Sequence, residues 1–199
     1  MGLGRGTPTS SEHRVRAACE AAYVLNDAVG ALLIPQHLAK LALKLHDAGG
    51  MSSKYAGPVR RLSMQGAIMG LYKVKEARDH LLAPWVFTTD ELRQFGFPPV
   101  EEFVGDWSAF MTVRGQYVGH VVAKGAKGSP GRIISGKALG HALRRAGLWD
   151  AEPFLRRVER VLLPGIERTR DELFRKYPAA RPFALKGYPG EVESAAETP

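Results

Sequence analysis

The chain reads as an all-α protein, an antiparallel bundle of five to seven helices, on three observations. Apolar residues recur at three- and four-residue steps through most of the 199 residues. Proline, glycine and small polar residues fall between these stretches, where helices start and stop. No run of alternating β-branched residues reads as a strand, and no internal repeat is present. Hydrophobic residues make up 45% and charged residues 24%, ordinary proportions for a soluble domain whose length suits one apolar core.

Taken in order, Met1 to Thr9 carries three glycines and a proline and reads as a flexible arm. Ser10 or Ser11 caps a first helix whose apolar positions are Val15, Ala18, Ala22, Leu25 and Val29. Pro35 is expected to end or kink it, and the pattern resumes through Leu38, Leu41, Leu43 and Leu45 until Gly49-Gly50. Pro58 opens a second helix, with Leu62, Ile68, Met69, Leu71, Tyr72 and Leu81 as its buried stripe. Thr88 to Gly96 reads as a short capped helix ending in glycine.

Pro98 or Pro99 is expected to open a helix with Glu101 and Glu102 in its first turn and Phe103, Trp107, Phe110, Met111 and Tyr117 in the core. Lys124 to Gly131 reads as a glycine-rich loop. Ser135 caps a helix running to Ala146, with Gly147 as its stop, and Asp150 caps the last long helix. Pro164-Gly165 must kink or split that helix, and Pro178 ends it. The domain organisation expected is therefore an arm at 1–9, one helical domain at 10–178 and a poorly ordered tail at 179–199.

Composition narrows the function. The lone Cys19 has no intramolecular disulfide partner, and no Cys/His spacing suits zinc, so no metal or other cofactor is expected. No signal peptide stands at Met1 to Ser10. The longest apolar run falls short of the ~18 residues of a membrane span, so the expected location is cytoplasmic. The net charge of +8 is concentrated: no Asp or Glu occurs between Trp107 and Trp149, where Arg114, Lys124, Lys127, Arg132, Lys137, Arg144 and Arg145 lie. Seven of the 28 basic residues sit there, leaving 21 to face the 20 acidic residues of the chain. A local positive field of this kind recruits RNA or another polyanion.

Within that region Arg114 and His120 stand six positions apart, with Gly115 and Gly119 beside them. Histidine exchanges a proton near neutral pH, and arginine presents a planar cationic fork to phosphate oxygens. His120 is suited to deprotonating a 2′-hydroxyl or protonating a leaving 5′-oxygen, and Arg114 to neutralising charge on the phosphorane. One histidine does not easily do both jobs, so a homodimer that joins two copies of the site is expected. On a continuous helix the pair would lie about 120° apart and ~9 Å along the axis, so convergence needs a distortion that the glycines permit. Lys124, Lys127, Arg132 and Lys137 on the adjoining segment are the expected nucleic-acid contacts.

Arg114-x5-His120 resembles the R-x4–6-H signature of the HEPN superfamily of helical-bundle proteins. The resemblance implies a HEPN-like bundle and a dimeric, metal-independent endoribonuclease with Arg114 and His120 as its catalytic pair. It further implies a toxin or phage-defence role, with an antitoxin or defence-system protein as a possible partner. Gly115 stands where family members carry Asn, Asp or His, and Val122 where some toxin members carry a tyrosine. The alternative is a non-catalytic helical module that binds nucleic acid or a partner within such an assembly.

Other motifs are weaker. Gly131 to Ala138 approaches a P-loop, but Ala138 lacks the metal-binding hydroxyl and no strand precedes it. His37, His46, His80 and His141 show no metal spacing, and Ser63, Ser108 and Ser135 lack a nucleophile-elbow setting.

Overall fold

The computed structural model describes residues 10–50, 52–83, 86–115, 122–123, 132–133 and 136–185. The fold is all-α. Its helices are α1 (Ser10–Asp47), α2 (Ala56–Leu81), α3 (Thr89–Gln94), α4 (Trp107–Val113), α5 (Gly136–Arg145), α6 (Ala151–Arg157), α7 (Leu163–Lys176) and α8 (Ala180–Leu185). A π-helical segment, Val158–Leu162, joins α6 to α7 without a break, so the described residues form seven helical rods. Two-residue strands β1 (Val122–Ala123) and β2 (Arg132–Ile133) pair antiparallel, Val122 with Ile133 and Ala123 with Arg132. No strand is expected from the sequence, because two residues are too few to show an alternating pattern.

The described chain separates into two compact units. One takes its described residues from Met1–Asp27, Lys73–Pro98 and Gly165–Pro199. Here α1 and α2 run antiparallel: Lys73 pairs with Asp27, and His80 Nε2 lies 2.7 Å from Glu20 Oε2. Ala17, Ala18, Ala21 and Ala22 are buried, and residues this small let neighbouring helices approach closely. Ala22 also meets Ala180, with Phe174 and Tyr177 packed beside them, so α8 continues the packed structure past Pro178.

The start of α3 follows the expected chemistry. Thr88 Oγ1 accepts from the Glu91 amide at 3.2 Å, and the Glu91 carboxylate accepts from the Thr88 amide at 2.8 Å. Gly96 ends the helix at a φ of +78°, a conformation glycine adopts without strain. Arg14 binds Glu91 and the Val86 carbonyl and lies 4.7 Å from the Phe87 ring centroid. The Thr88 amide, joined by Arg14, holds the Glu91 carboxyl below its usual range.

The second unit takes Ala28–Tyr72 and Pro99–Pro164. Here too α1 and α2 run antiparallel, and two glycines set their separation. A Cβ on Gly70 would collide with the Leu32 side chain, and one on Gly66 would stand 2.9 Å from Pro35 Cβ and strike the Ala31 carbonyl. Contrary to the sequence expectation, α1 passes through Pro35 without ending. Pro35 removes one donor from the helical ladder, and its ring packs against Gly66. Likewise α6 and α7 do not split at Pro164-Gly165. The preceding π turn, in which the Leu163 amide donates to the Val158 carbonyl, absorbs the irregularity.

The expected helix from Pro98 or Pro99 differs more. A 3-10 turn at Val100–Phe103 is followed by extended backbone at Val104, and α4 starts afresh with Asp106 as its cap. Phe103 and Phe110 are buried as expected, but Met111 is exposed because the restart changes which residues face inward. Tyr117 lies outside the described residues.

By length and composition, α1 is the one described helix able to cross a membrane, with a mean hydropathy of 1.4 over its most apolar window. In the second unit, however, Leu32 and Pro35 of this helix pack against the glycines of α2, and in the first its Ala17, Ala18, Ala21 and Ala22 are buried.

Gly66→Ala is expected to lower stability by about 1–3 kcal/mol, since the rigid Pro35 ring and a backbone carbonyl leave the methyl nowhere to go. This exceeds the gain of about 1 kcal/mol in helix propensity. A urea midpoint at or above that of the wild type would show that the close approach is not a constraint.

Candidate nucleic-acid interface

The site is built on α4 and α5, both in the second unit. Asp106 starts α4 by accepting from the Ala109 amide at 2.9 Å, and the same carboxylate pairs with Arg145 at the end of α5. The Gly105 amide donates to the Ala146 carbonyl at 3.2 Å. The start of α4 is thereby clipped to the end of α5. The Ala109 amide, aided by Arg145, holds the Asp106 carboxyl below its ordinary value, so it is ionised at neutral pH. The opposite ends of these helices, where Arg114 and Lys137 stand, lead into the connection that contains β1 and β2.

Arg114 caps α4 at the point where the backbone widens into a π turn through Gly115. Its guanidinium carbon lies 3.9 Å from the ring centroid of Tyr72, on α2. That geometry is a cation–π stack. Nη1 of Arg114 is buried and has no hydrogen-bond partner among the described residues. A buried N–H without an acceptor is costly, and an incoming phosphate oxygen satisfies it well.

The N-terminal residues of α5 are exposed. Lys137, His141 and Arg144 recur four and three positions apart, so they share one side of the helix, and all three are exposed. The guanidinium carbon of Arg144 lies 4.1 Å from the ring centroid of Trp149, which is 58% exposed. Gly140 is buried under the edge of that indole, 3.4 Å from where its Cβ would stand. With Asp106 engaged by Arg145, this side of α5 presents cations and one aromatic plane.

Among the residues singled out from the sequence, Arg114 is fixed on Tyr72 and Lys137 is exposed in the first turn of α5. Arg132 lies on β2 opposite Ala123. His120, Lys124 and Lys127 lie outside the described residues. Sequence reading missed Tyr72, His141, Arg144 and Trp149 as parts of the site. The spacing of 137, 141 and 144 was available to place His141 and Arg144 on one helix face with Lys137, whereas nothing local links Tyr72 to Arg114. Among the described residues no group of three or more His, Cys, Asp or Glu side chains is placed to hold a metal ion.

A double-mutant cycle with Tyr72→Leu and Arg114→Met tests the stack. A coupling of about 0.5–2 kcal/mol in unfolding free energy is expected; additive effects would mean that the ring does not hold the guanidinium. Compared with known proteins, the chain matches no family model, no curated protein and no solved structure.

Proposed function

We propose that this chain is a cytoplasmic RNA-binding protein that cleaves RNA without metal, an endoribonuclease of HEPN type acting as a homodimer. The observation that carries the reading is Arg114: a cation stacked on Tyr72, with a buried donor that no described residue satisfies. It lies in the acid-free stretch that holds seven basic residues, beside a helix whose cations face outward. In the proposed reaction His120 removes the 2′-hydroxyl proton, and that oxygen attacks the adjacent phosphorus. Arg114 neutralises the negative charge growing on the phosphorane oxygens, and the partner copy's histidine protonates the leaving 5′-oxygen. Lys124, Lys127, Arg132 and Lys137 guide the strand. The HEPN resemblance extends the proposal to a toxin or phage-defence effector with an antitoxin or defence-system partner.

A second reading is a non-catalytic module that binds nucleic acid or a partner protein. It is favoured by the exposed Lys137, His141 and Arg144 and by Trp149, none of which requires a histidine at position 120. Exposed aromatic planes beside cations suit single-stranded bases.

Both readings meet one experiment. In EDTA the wild type is expected to cleave single-stranded RNA, and His120→Ala to lower the rate by at least about 100-fold while binding is kept. Cleavage by that variant at the wild-type rate would refute the catalytic assignment. Lys137→Gln with Arg144→Gln is expected to weaken RNA binding and reduce its salt slope by about 1.4, two phosphate contacts' worth. RNA binding without cleavage by the wild type would leave the second reading in place.

A further inference from the structure

The C-terminal half of α1 carries an apolar stripe that the fold does not cover. Ile34, Leu38, Leu41 and Leu45 are 62%, 49%, 55% and 48% exposed. Their steps of four, three and four residues keep them within about 60° of arc on one side of the helix. The opposite side is engaged as far as Ala39: Leu32 and Ala39 are buried, and Leu32 fills the space left by Gly70 of α2, whereas Leu43 beyond them is exposed.

Charge identifies what this stripe suits. No Asp or Glu occurs between Asp27 and Asp47, while Lys40, Lys44 and two histidines fall in the segment. Helical geometry sets Lys44 and His37 along one border of the stripe, both exposed, with Lys40 further round and paired to Glu159. An apolar face bordered by a lysine, in a helix segment that carries no acid, is the pattern of a helix that lies in the plane of an anionic lipid surface. A second copy of the chain fits less well. Four half-exposed side chains bury only a few hundred Å² against the roughly 800 Å² per partner of a stable interface. Crossing the bilayer fits less well still, since α1 would have to give up Pro35 on Gly66, Leu32 on Gly70 and the Asp27 pair with Lys73.

We infer that the Ile34–Leu38–Leu41–Leu45 face of α1 docks this protein on membranes that carry acidic phospholipids, with the helix lying along the surface. The stripe enters the acyl boundary and Lys44 meets the headgroups. This inference is independent of the RNA reading, because none of these residues belongs to the α4–α5 interface.

The test is flotation of the full chain with phosphatidylcholine vesicles, with and without phosphatidylserine. Wild type is expected to float with the phosphatidylserine vesicles alone, and Leu38→Gln with Leu41→Gln to reduce that fraction by about tenfold or more. The substituted side chains are exposed, so circular dichroism and the melting curve should be unchanged. Absence of flotation by the wild type would overturn the proposal. So would equal flotation of the double variant, which would assign the binding to the cations of α5. A lipid-free dimer that the double variant turns into a monomer would make the stripe a self-interface and would equally overturn it. If the double variant fails to fold, Lys44→Gln serves instead: flotation reduced several-fold supports the proposal, and flotation unchanged refutes it.

Discussion

The close approach of α2 to α1 is the constraint on which the second unit rests. Gly66 and Gly70 stand one turn apart and remove the side chains that would hold the helices off, so Pro35 and Leu32 of α1 sit directly against the α2 backbone. Two consequences follow. Pro35, a helix breaker by local rules, lies inside an unbroken helix because its ring has a receptacle. Tyr72, two residues beyond Gly70, is held by a packed helix and becomes a fixed platform for Arg114.

Electrostatics divides the labour in the α4–α5 region. One carboxylate, Asp106, performs two structural tasks, capping α4 and pairing with Arg145. With that acid occupied and none between Trp107 and Trp149, Lys137 and Arg144 project a field that no acid within that stretch offsets. Arg114 is set apart from them by its stack on Tyr72 and by a buried donor without an acceptor among the described residues. Stacking removes much of the rotamer freedom an arginine would otherwise lose on binding a phosphate, so the proposed contact starts from an ordered cation.

How much of this was legible depends on the range of the interactions. Helix starts and stops governed by neighbours in sequence read correctly: the short capped helix at Thr88 to Gly96, its glycine stop and the Asp150 cap. Positions decided by partners far along the chain did not. At Pro35 the sequence predicts an end or a kink, and the helix does not end because Gly66, remote in sequence, receives the ring; at Pro164-Gly165 it predicts a kink or a split, and the helix does not split but carries a π turn that leaves no sequence mark. Gly105 and Asp106 restart the chain where the acidic and aromatic pattern suggested one helix, which put Met111 on the wrong face. The basic character of the candidate site was plain from composition, as was Arg114. Its platform was not, because a tyrosine in an apolar helical stripe looks like any other core residue. The exposed stripe of α1 followed the same periodicity as a buried one, and only packing distinguishes the two.

The chemistry proposed for Arg114 and His120 leaves a specific mark on the RNA itself. The most direct measurement is the identity of the ends produced when purified protein cuts a defined RNA in EDTA. Attack by the 2′-oxygen predicts a 2′,3′-cyclic phosphate on one fragment and a 5′-hydroxyl on the other. Fragments ending in a 5′-phosphate and a 3′-hydroxyl, or an RNA left whole at saturating protein, would contradict it.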